Sequence, residues 1–371
     1  MPETISAIDV GTTKVCAIIA QVIDDETFEV IGVGRAPSDG LTRGVVSNIS
    51  AATASIGQAV EQAEQMAGRQ ISNAYVGIAG SHIQAQLSKG VVPIGRSRMV
   101  TPEDIERVLE AARAVALPHD REIIHLVPRS FAVDDQEDVQ EPVGMHGYRL
   151  TVDAQVITGV TGAVRNLVRC VHTHDIEIEE LVLEPLASGE AVLTNAERDM
   201  GVGVVDIGGG TTDLAMFMKG GLWHAVVLDL GGNHLTHDLA VGLGAPFSAA
   251  EQLKVRYGSA LASRIAPDQE VTVEVFGDGG VRAVPRQLVA GILEARAEEI
   301  VELVLREIKR SGYDGLVPAG LVLTGGAAQL AGLRDLSRQM TQLPVRVGAP
   351  NGLAGLVDQL RTPDNATGVG L

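Results

Sequence analysis

Two short stretches carry residue types that could grip a phosphate chain. Val204-Val205-Asp206-Ile207-Gly208-Gly209-Gly210-Thr211-Thr212-Asp213 reads as a buried apolar strand, a glycine turn and a second strand running on through Leu214, Ala215, Met216 and Phe217. Glycines 208, 209 and 210 remove side-chain bulk, so backbone N–H groups can come close to an anion. Thr211 and Thr212 add hydroxyl donors. Asp206, at the tip of the incoming strand, could hold a hydrated magnesium ion, because Mg²⁺ keeps most of its waters and takes few protein ligands. Ile8-Asp9-Val10-Gly11-Thr12-Thr13-Lys14-Val15-Cys16-Ala17-Ile18-Ile19 repeats the pattern near the N-terminus, without the two extra glycines. One glycine turn between strands is common. Two copies, one in each half of the chain, point to a duplicated domain with a phosphate chain clamped between its halves.

Other candidates surround these loops in sequence. Lys14, just past the first turn, reads as a counter-charge to a phosphate, with a solvated strand-end lysine as the alternative. Glu184, at a strand-to-helix crossing, is the one carboxylate placed to orient an attacking water, or it simply packs and hydrogen-bonds. Gly231-Gly232-Asn233 opens a helix, where exposed N–H groups and the positive end of the dipole favour a ligand. Glu251 and Lys254 share a helix face at i, i+3; they form either a surface ion pair or a grip on a ribose. Gly325-Gly326-Ala327 follows the strand 320–324 and turns into a helix expected to begin near Gln329. That arrangement suits an adenine or sugar face against bare backbone.

The chain that must position these groups has 371 residues, 45% of them hydrophobic and 20% charged, enough for two globular lobes. The net charge of −18 argues against a nucleic-acid partner. Two cysteines without metal-type spacing fit a reducing compartment. No signal peptide and no bilayer-length apolar run is evident in the sequence. Residues 4–35 read as a β-meander with a polar turn at Asp24-Asp25-Glu26. Asn48 and Gly68 bracket a helix over 48–67, and Thr101-Pro102 starts another. Between 82 and 157 the character changes, with strand pieces at 83–87, 123–129 and 131–133, as expected of an inserted subdomain. Pro285–Arg310 is the longest helix, with Val289, Leu293, Ile300, Val304 and Ile308 inward.

The paired Asp-x-Gly-Thr-Thr-type loops, Glu184-Pro185 at the crossing, and Leu323-Thr324-Gly325-Gly326-Ala327 resemble the actin-like ATPase superfamily. Within it the chain is similar to the bacterial cell-division FtsA family. Arg43-Gly44-Val45-Val46, His125-Leu126-Val127-Pro128-Arg129-Ser130-Phe131, Pro142-Val143-Gly144-Met145-His146-Gly147 and Leu183-Glu184-Pro185-Leu186-Ala187-Ser188 carry that likeness. The resemblance implies an α/β, actin-like fold of duplicated ribonuclease-H-like lobes with an FtsA-type insert. Its four units are 1A (1–81 and 158–186), 1C (82–157), 2A (187–226 and 319–371) and 2B (227–318).

It also implies ATP or ADP with Mg²⁺ in the cleft. Gly11, Thr12, Thr13, Lys14 and Gly208 to Thr212 would line the phosphates, and Asp9 and Asp206 would order the waters around magnesium. Gly232, Asn233, Glu251, Lys254, Gly325, Gly326 and Ala327 would hold the nucleoside. Implied partners are the C-terminal tail of the tubulin-like FtsZ on 2B, with Arg286 and Arg296 as its cations, further copies of the chain in protofilaments, and other division proteins through 1C. The implied location is the inner face of the cell membrane at the division site. Family members carry an amphipathic membrane helix after the fold. This 371-residue form is therefore expected not to sediment with liposomes by itself. The competing readings on the same fold are a sugar or acetate kinase, which needs an aspartate base that the insert does not supply, and a chaperone ATPase.

Overall fold

A computed structural model describes residues 3–23, 27–95, 98–277, 280–313, 315–356 and 358–371; the turn expected at Asp24-Asp25-Glu26 lies outside them. The first lobe begins with β1 (Thr4–Val10), β2 (Lys14–Val22) and β3 (Phe28–Pro37), then a short hairpin β4 (Leu41–Thr42) and β5 (Val45–Val46), α1 (Ile49–Ala67) and β6 (Asn73–Ile78). Helix α1 starts where the Asn48 side chain accepts the Ala51 N–H, and it ends at Gly68 in the left-handed region with φ 64°.

The insert follows as β7 (Gln84–Pro93), α2 (Pro102–Arg113), β8 (Arg121–Val133), β9 (Gln136–Val139) and β10 (Arg149–Val160). Thr101 and Asp104 form a capping box on α2. The chain returns through α3 (Thr161–His172), β11 (Glu177–Leu183), α4 (Glu184–Val192) and α5 (Asn195–Met200). The second lobe comprises β12 (Val202–Ile207), β13 (Thr212–Met218), β14 (Gly221–Leu228), α6 (Gly232–Leu243), α7 (Phe247–Tyr257), β15 (Glu270–Glu274), β16 (Val281–Pro285), α8 (Arg286–Arg310), β17 (Leu321–Thr324), α9 (Leu333–Thr341) and β18 (Val345–Val347). The chain closes with β19 (Ala354–Gly355) and α10 (Ala366–Gly370).

The sheet orders reveal the duplication. The first sheet runs β11-β6-β1-β2-β3-β19 and the second β18-β17-β12-β13-β14. In each, an antiparallel three-strand meander (β1-β2-β3, β12-β13-β14) is extended by parallel strands on the side of its first strand. These central strands are apolar on both faces, as sheets covered on both sides require. On the first sheet, Ile8, Val10, Val15 and Ile19 pack under α1 and α3. On the second, Val205, Ile207, Leu214 and Met216 pack under Ala297, Ile300, Val301 and Val304 of α8. The insert is a separate antiparallel sheet, β7-β10-β8-β9, with α2 laid on it.

Three expectations change. The strand pieces at 123–129 and 131–133 are one strand, β8. A β-bulge absorbs the extra residue: Ser130 faces Asp153 and Pro128 faces Ala154, which leaves Arg129 unpaired. The helix expected near Gln329 begins at Leu333, after a 3₁₀ turn at Gly326–Gln329. Finally, the end of the chain, expected wholly with 2A, packs on the first lobe as well as on the second. β19 pairs with β3, while Leu360, Val369 and Leu371 cover the apolar face formed by Ala7, Cys16, Ile18 and Val30. Burial of that face decides where the tail goes.

Candidate nucleotide site

The β1–β2 and β12–β13 turns meet tip to tip between the lobes. Gly11 N–H closes its turn on the Lys14 carbonyl at 3.0 Å, and Gly208 N–H closes the other on the Thr211 carbonyl at 3.0 Å. A Cβ on Gly209 would fall 2.3 Å from Thr13 Cγ2, and one on Gly210 2.6 Å from Thr12 Oγ1. Glycine is therefore required by interlobe packing as well as by any anion. Thr12 Oγ1 also accepts the Gly44 N–H at 3.1 Å.

Around these tips a cavity is lined by Asp9, Gly11, Thr12, Thr13, Lys14, Glu184, Asp206, Gly208, Gly209, Thr211, Asp213, Gly325, Gly326 and Asp364. It adjoins a second cavity that shares Thr13, Gly208, Gly209 and Gly326 and adds Gly232, Asn233, Glu251, Lys254 and Ala327. That second space measures about 1390 Å³ including its open mouth. The part of it a ligand can fill, about 610 Å³, falls within the roughly 300–1,000 Å³ of typical small-molecule sites. Of the residues that the sequence nominated for the cofactor, Gly210 and Thr212 alone do not line these walls. Gly210 abuts Thr12, and the Thr212 hydroxyl donates to the Leu230 carbonyl at 2.6 Å.

The electrostatics are dominated by carboxylates. Asp206 Oδ2 accepts from Ser188 Oγ at 2.5 Å and Thr367 Oγ1 at 3.2 Å. Burial nevertheless raises its pKa. Burial pushes Asp9 up to about 6, with Lys14 opposing and Asp206 and Asp364 adding. Glu184 is raised well above its ordinary value by burial and by the charges of Asp9, Asp213 and Asp206. Asp213, which sequence reasoning passed over, faces Asp206 across the hairpin. Burial and the same acidic neighbours raise it too, and its Oδ1 is buried without a hydrogen-bond partner. The signal that could have found it was its place directly after Thr211-Thr212, where strand alternation puts it back on the side of Asp206.

Such a set of uncompensated acids fits a cation. Among the described residues no three His, Cys, Asp or Glu groups converge as a direct ligand cluster. The donor set therefore fits a hydrated magnesium ion held through its waters, beside phosphates on the loop amides.

The structure adds detail to four sequence expectations. The Lys14 ammonium donates to Asp364 Oδ2 at 2.9 Å, to the Asp364 carbonyl at 2.5 Å and to Asn365 Oδ1 at 3.0 Å, so all its protons are engaged. Against the penalty of burial, Lys14 in turn holds Asp364 below its ordinary pKa. The Gly232 and Asn233 N–H groups are not bare; they donate to the Gly208 and Gly209 carbonyls, each at 2.8 Å. The α6 start thus docks on the loop and offers the Asn233 side chain instead.

Glu251 and Lys254 do pair, at 2.8 Å, and the lysine also reaches the Gly232 carbonyl and Thr236 Oγ1. The pair ties α7 to α6 at the cavity wall. Arg286 lines that same wall and donates to the Tyr257 carbonyl and Gln269 Oε1, each at 2.9 Å. Arg296 is held by both Asp238 oxygens and by Glu299. Arg296 is therefore spoken for by carboxylates, whereas Arg286 is bonded only to neutral acceptors and keeps its charge.

Comparison with known proteins agrees with this architecture. The family model "Cell division protein FtsA" matches residues 203–370, and "SHS2 domain inserted in FTSA" matches residues 80–158. The FtsA of Pseudomonas aeruginosa is 44% identical over all of this chain and 88% of its own length. The FtsA of Neisseria meningitidis is 42% identical over 99% of this chain and 89% of its own length. The Escherichia coli K12 protein is 38% identical over 100% of this chain and 89% of its own length.

Among solved structures, the PilM-PilN type IV pilus biogenesis complex superposes with a TM-score of 0.71 at 17% identity, covering 99% of this chain and 97% of that one. MreB5 of Spiroplasma citri bound to ADP superposes at 0.56 with 16% identity, covering 99% and 94%. These likenesses confirm the actin-like fold. The curated relatives favour cell division over the kinase alternative. The chain belongs to the FtsA family of bacterial cell-division proteins.

Proposed function

We propose that the chain binds ATP or ADP with Mg²⁺ in the cleft, assembles into protofilaments, and links FtsZ filaments to the inner face of the cell membrane at the division site. The observation that carries the nucleotide reading is the tip-to-tip meeting of two duplicated Gly-Thr-Thr hairpins over four carboxylates. Gly11, Thr12, Thr13, Gly208, Gly209 and Thr211 hold the phosphates, and Asp9 and Asp206 hold the hydrated ion, whose charge would neutralise theirs. Asn233, Glu251, Lys254, Gly326 and Ala327 form the nucleoside wall. Glu184 orients water for a slow hydrolysis.

Assembly and division-site placement rest on family membership, and the MamK double helical filament shares the fold at a TM-score of 0.53. FtsZ tail docking stays with 227–318; Arg296 takes part only if the tail displaces Asp238. Other division proteins dock on 82–157. Among the described residues no helix is long and apolar enough to cross a membrane.

Calorimetric titration of the intact chain with ATP tests this. We expect uptake of one ATP per chain with Mg²⁺, and an affinity ~100-fold lower (about 2.7 kcal/mol) in Asp206→Asn. Electron microscopy of the ATP-bound chain should then show filaments. Absence of adenine-nucleotide uptake with magnesium present would refute the reading.

A further inference from the structure

A cavity of about 890 Å³, including its open mouth, lies in the seam between the insert and the second lobe. The insert supplies Gln84 and Arg121, and the second lobe supplies His224 and Arg310. Much of the remaining wall is apolar, around Leu117 and Val226. Among the described residues no Asp or Glu lines it, in a chain whose net charge is −18. The cavity at the two turns is its electrostatic opposite, lined by Asp9, Glu184, Asp206, Asp213 and Asp364. The two spaces share no residue.

Of the cationic groups here Arg121 is built in, whereas Arg310 is exposed and shares its charge with Glu307. Arg121 donates through Nε to Thr158 Oγ1 at 3.0 Å, and through Nη2 to the His82 and Thr158 carbonyls at 2.8 and 2.9 Å. Those bonds fix the plane of its guanidinium and leave Nη1 without a hydrogen-bond partner among the described residues. His224 Nε2 is buried and has no hydrogen-bond partner, a condition that buried polar atoms rarely keep. Arg310 reaches in from the end of α8, its Nη2 2.9 Å from Glu307 Oε2. Beside the cavity the bulged Arg129 is swung over Trp223 and Tyr313, its guanidinium carbon 4.2 and 5.3 Å from the ring centroids. Burial, with Arg310 and Arg129 working against Glu307, holds the His224 pKa below its ordinary value.

We propose that this seam binds a small organic anion, a carboxylate or phosphate on an apolar body, bridged between Arg121 of the insert and Arg310 and His224 of the second lobe. The planar arginine fork matches both oxyanions. His224 Nε2 gains the partner it lacks, and Leu117 and Val226 take the apolar body.

Trp223 is the only tryptophan and precedes His224, so its emission reports the seam. The intact chain, with Mg²⁺ and ADP added, is titrated with citrate, with inorganic phosphate, and with sodium chloride at matched ionic strength. The expected result is a saturable change in Trp223 emission with citrate or phosphate and none with chloride. The midpoint should rise at least ten-fold in Arg310→Gln and in Arg121→Gln. It should stay put in Lys89→Gln, a cation elsewhere on the insert. A response to one anion only assigns the oxyanion and supports the site. Arg121→Gln loses three hydrogen bonds that tie the insert together. Arg310→Gln, at a solvent-facing helix end, decides the matter if the first variant misfolds. An equal response to chloride, no response to either anion, or a wild-type midpoint in Arg310→Gln overturns the proposal.

Discussion

Thr12-Thr13 in the first lobe is followed by Lys14, whereas Thr211-Thr212 in the second is followed by Asp213, so matching positions of the two hairpins carry opposite charges. Across the first hairpin Asp9 faces Cys16; across the second Asp206 faces Asp213. The Lys14 charge is absorbed locally by Asp364 and Asn365 from the end of the chain. Asp213 Oδ1, by contrast, is buried without a partner among the described residues. Duplication thus preserved the backbone scaffold, which any phosphate needs twice, and let the charges diverge. The lysine of the first copy is closed off, and the second copy is left short of a cation. A buried acid without a partner costs stability until a cation arrives.

The largest expected effect breaks the contact between the copies. Gly209→Val drives a branched side chain into Thr13; it should weaken Mg·ATP binding by ~100-fold or more, about 2.7 kcal/mol, measured by calorimetry. Gly11→Ala meets only the Lys14 carbonyl of its own turn, at 2.9 Å, and should cost less.

Asp213→Asn sharpens the charge contrast. It should stabilise the magnesium-free chain by on the order of 1–3 kcal/mol in urea unfolding, because it removes an unpaired buried charge. It should also blunt the magnesium dependence of nucleotide binding. A destabilised variant would show that Asp213 is compensated after all.

The pH dependence has a definite sign. Asp9 rises from 3.8 to about 6 on folding, and Asp206, Glu184 and Asp213 are raised as well. At these four sites the folded chain binds more protons than the unfolded one, and their contribution to stability falls as pH rises through this window, opposed by the lowered Glu197, Asp364, His82, His125 and His224. Thermal melts of the magnesium-free chain should drop between pH 4 and pH 6 on Asp9's account, and Asp9→Asn should flatten that part of the slope. The smallest effect belongs to the first copy. Lys14→Gln should cost about 1 kcal/mol of unfolding free energy, the scale of partly exposed polar contacts.

Much of this architecture was legible from local pattern. Asn48 and Gly68 bracket α1 as their capping chemistry requires, and Thr101-Pro102 starts α2. The repeated Asp-Gly-Thr-Thr pattern located both halves of the cleft, because a tight turn between apolar strands is encoded within about ten residues. The cleft between the lobes gathers nearly every residue nominated for it, since those residues sit on strand ends and helix starts that the duplicated topology must bring together. The bulge at Arg129 was not legible, because which residue of β8 is extruded depends on register against β10. The fate of Arg296 was not legible either: Asp238 lies on another helix, and only packing of α6 against α8 joins them.

By itself, then, the amino-acid order determined which segments turn, which strands are buried and where a phosphate could be cradled twice, since these follow from backbone freedom and apolar spacing over short spans. Only tertiary structure decided which charges meet. Lys14 is joined to Asp364 across 350 positions and Thr367 to Asp206 across 161. Ion pairing at that separation is set by how sheets and helices pack, and no local pattern records it.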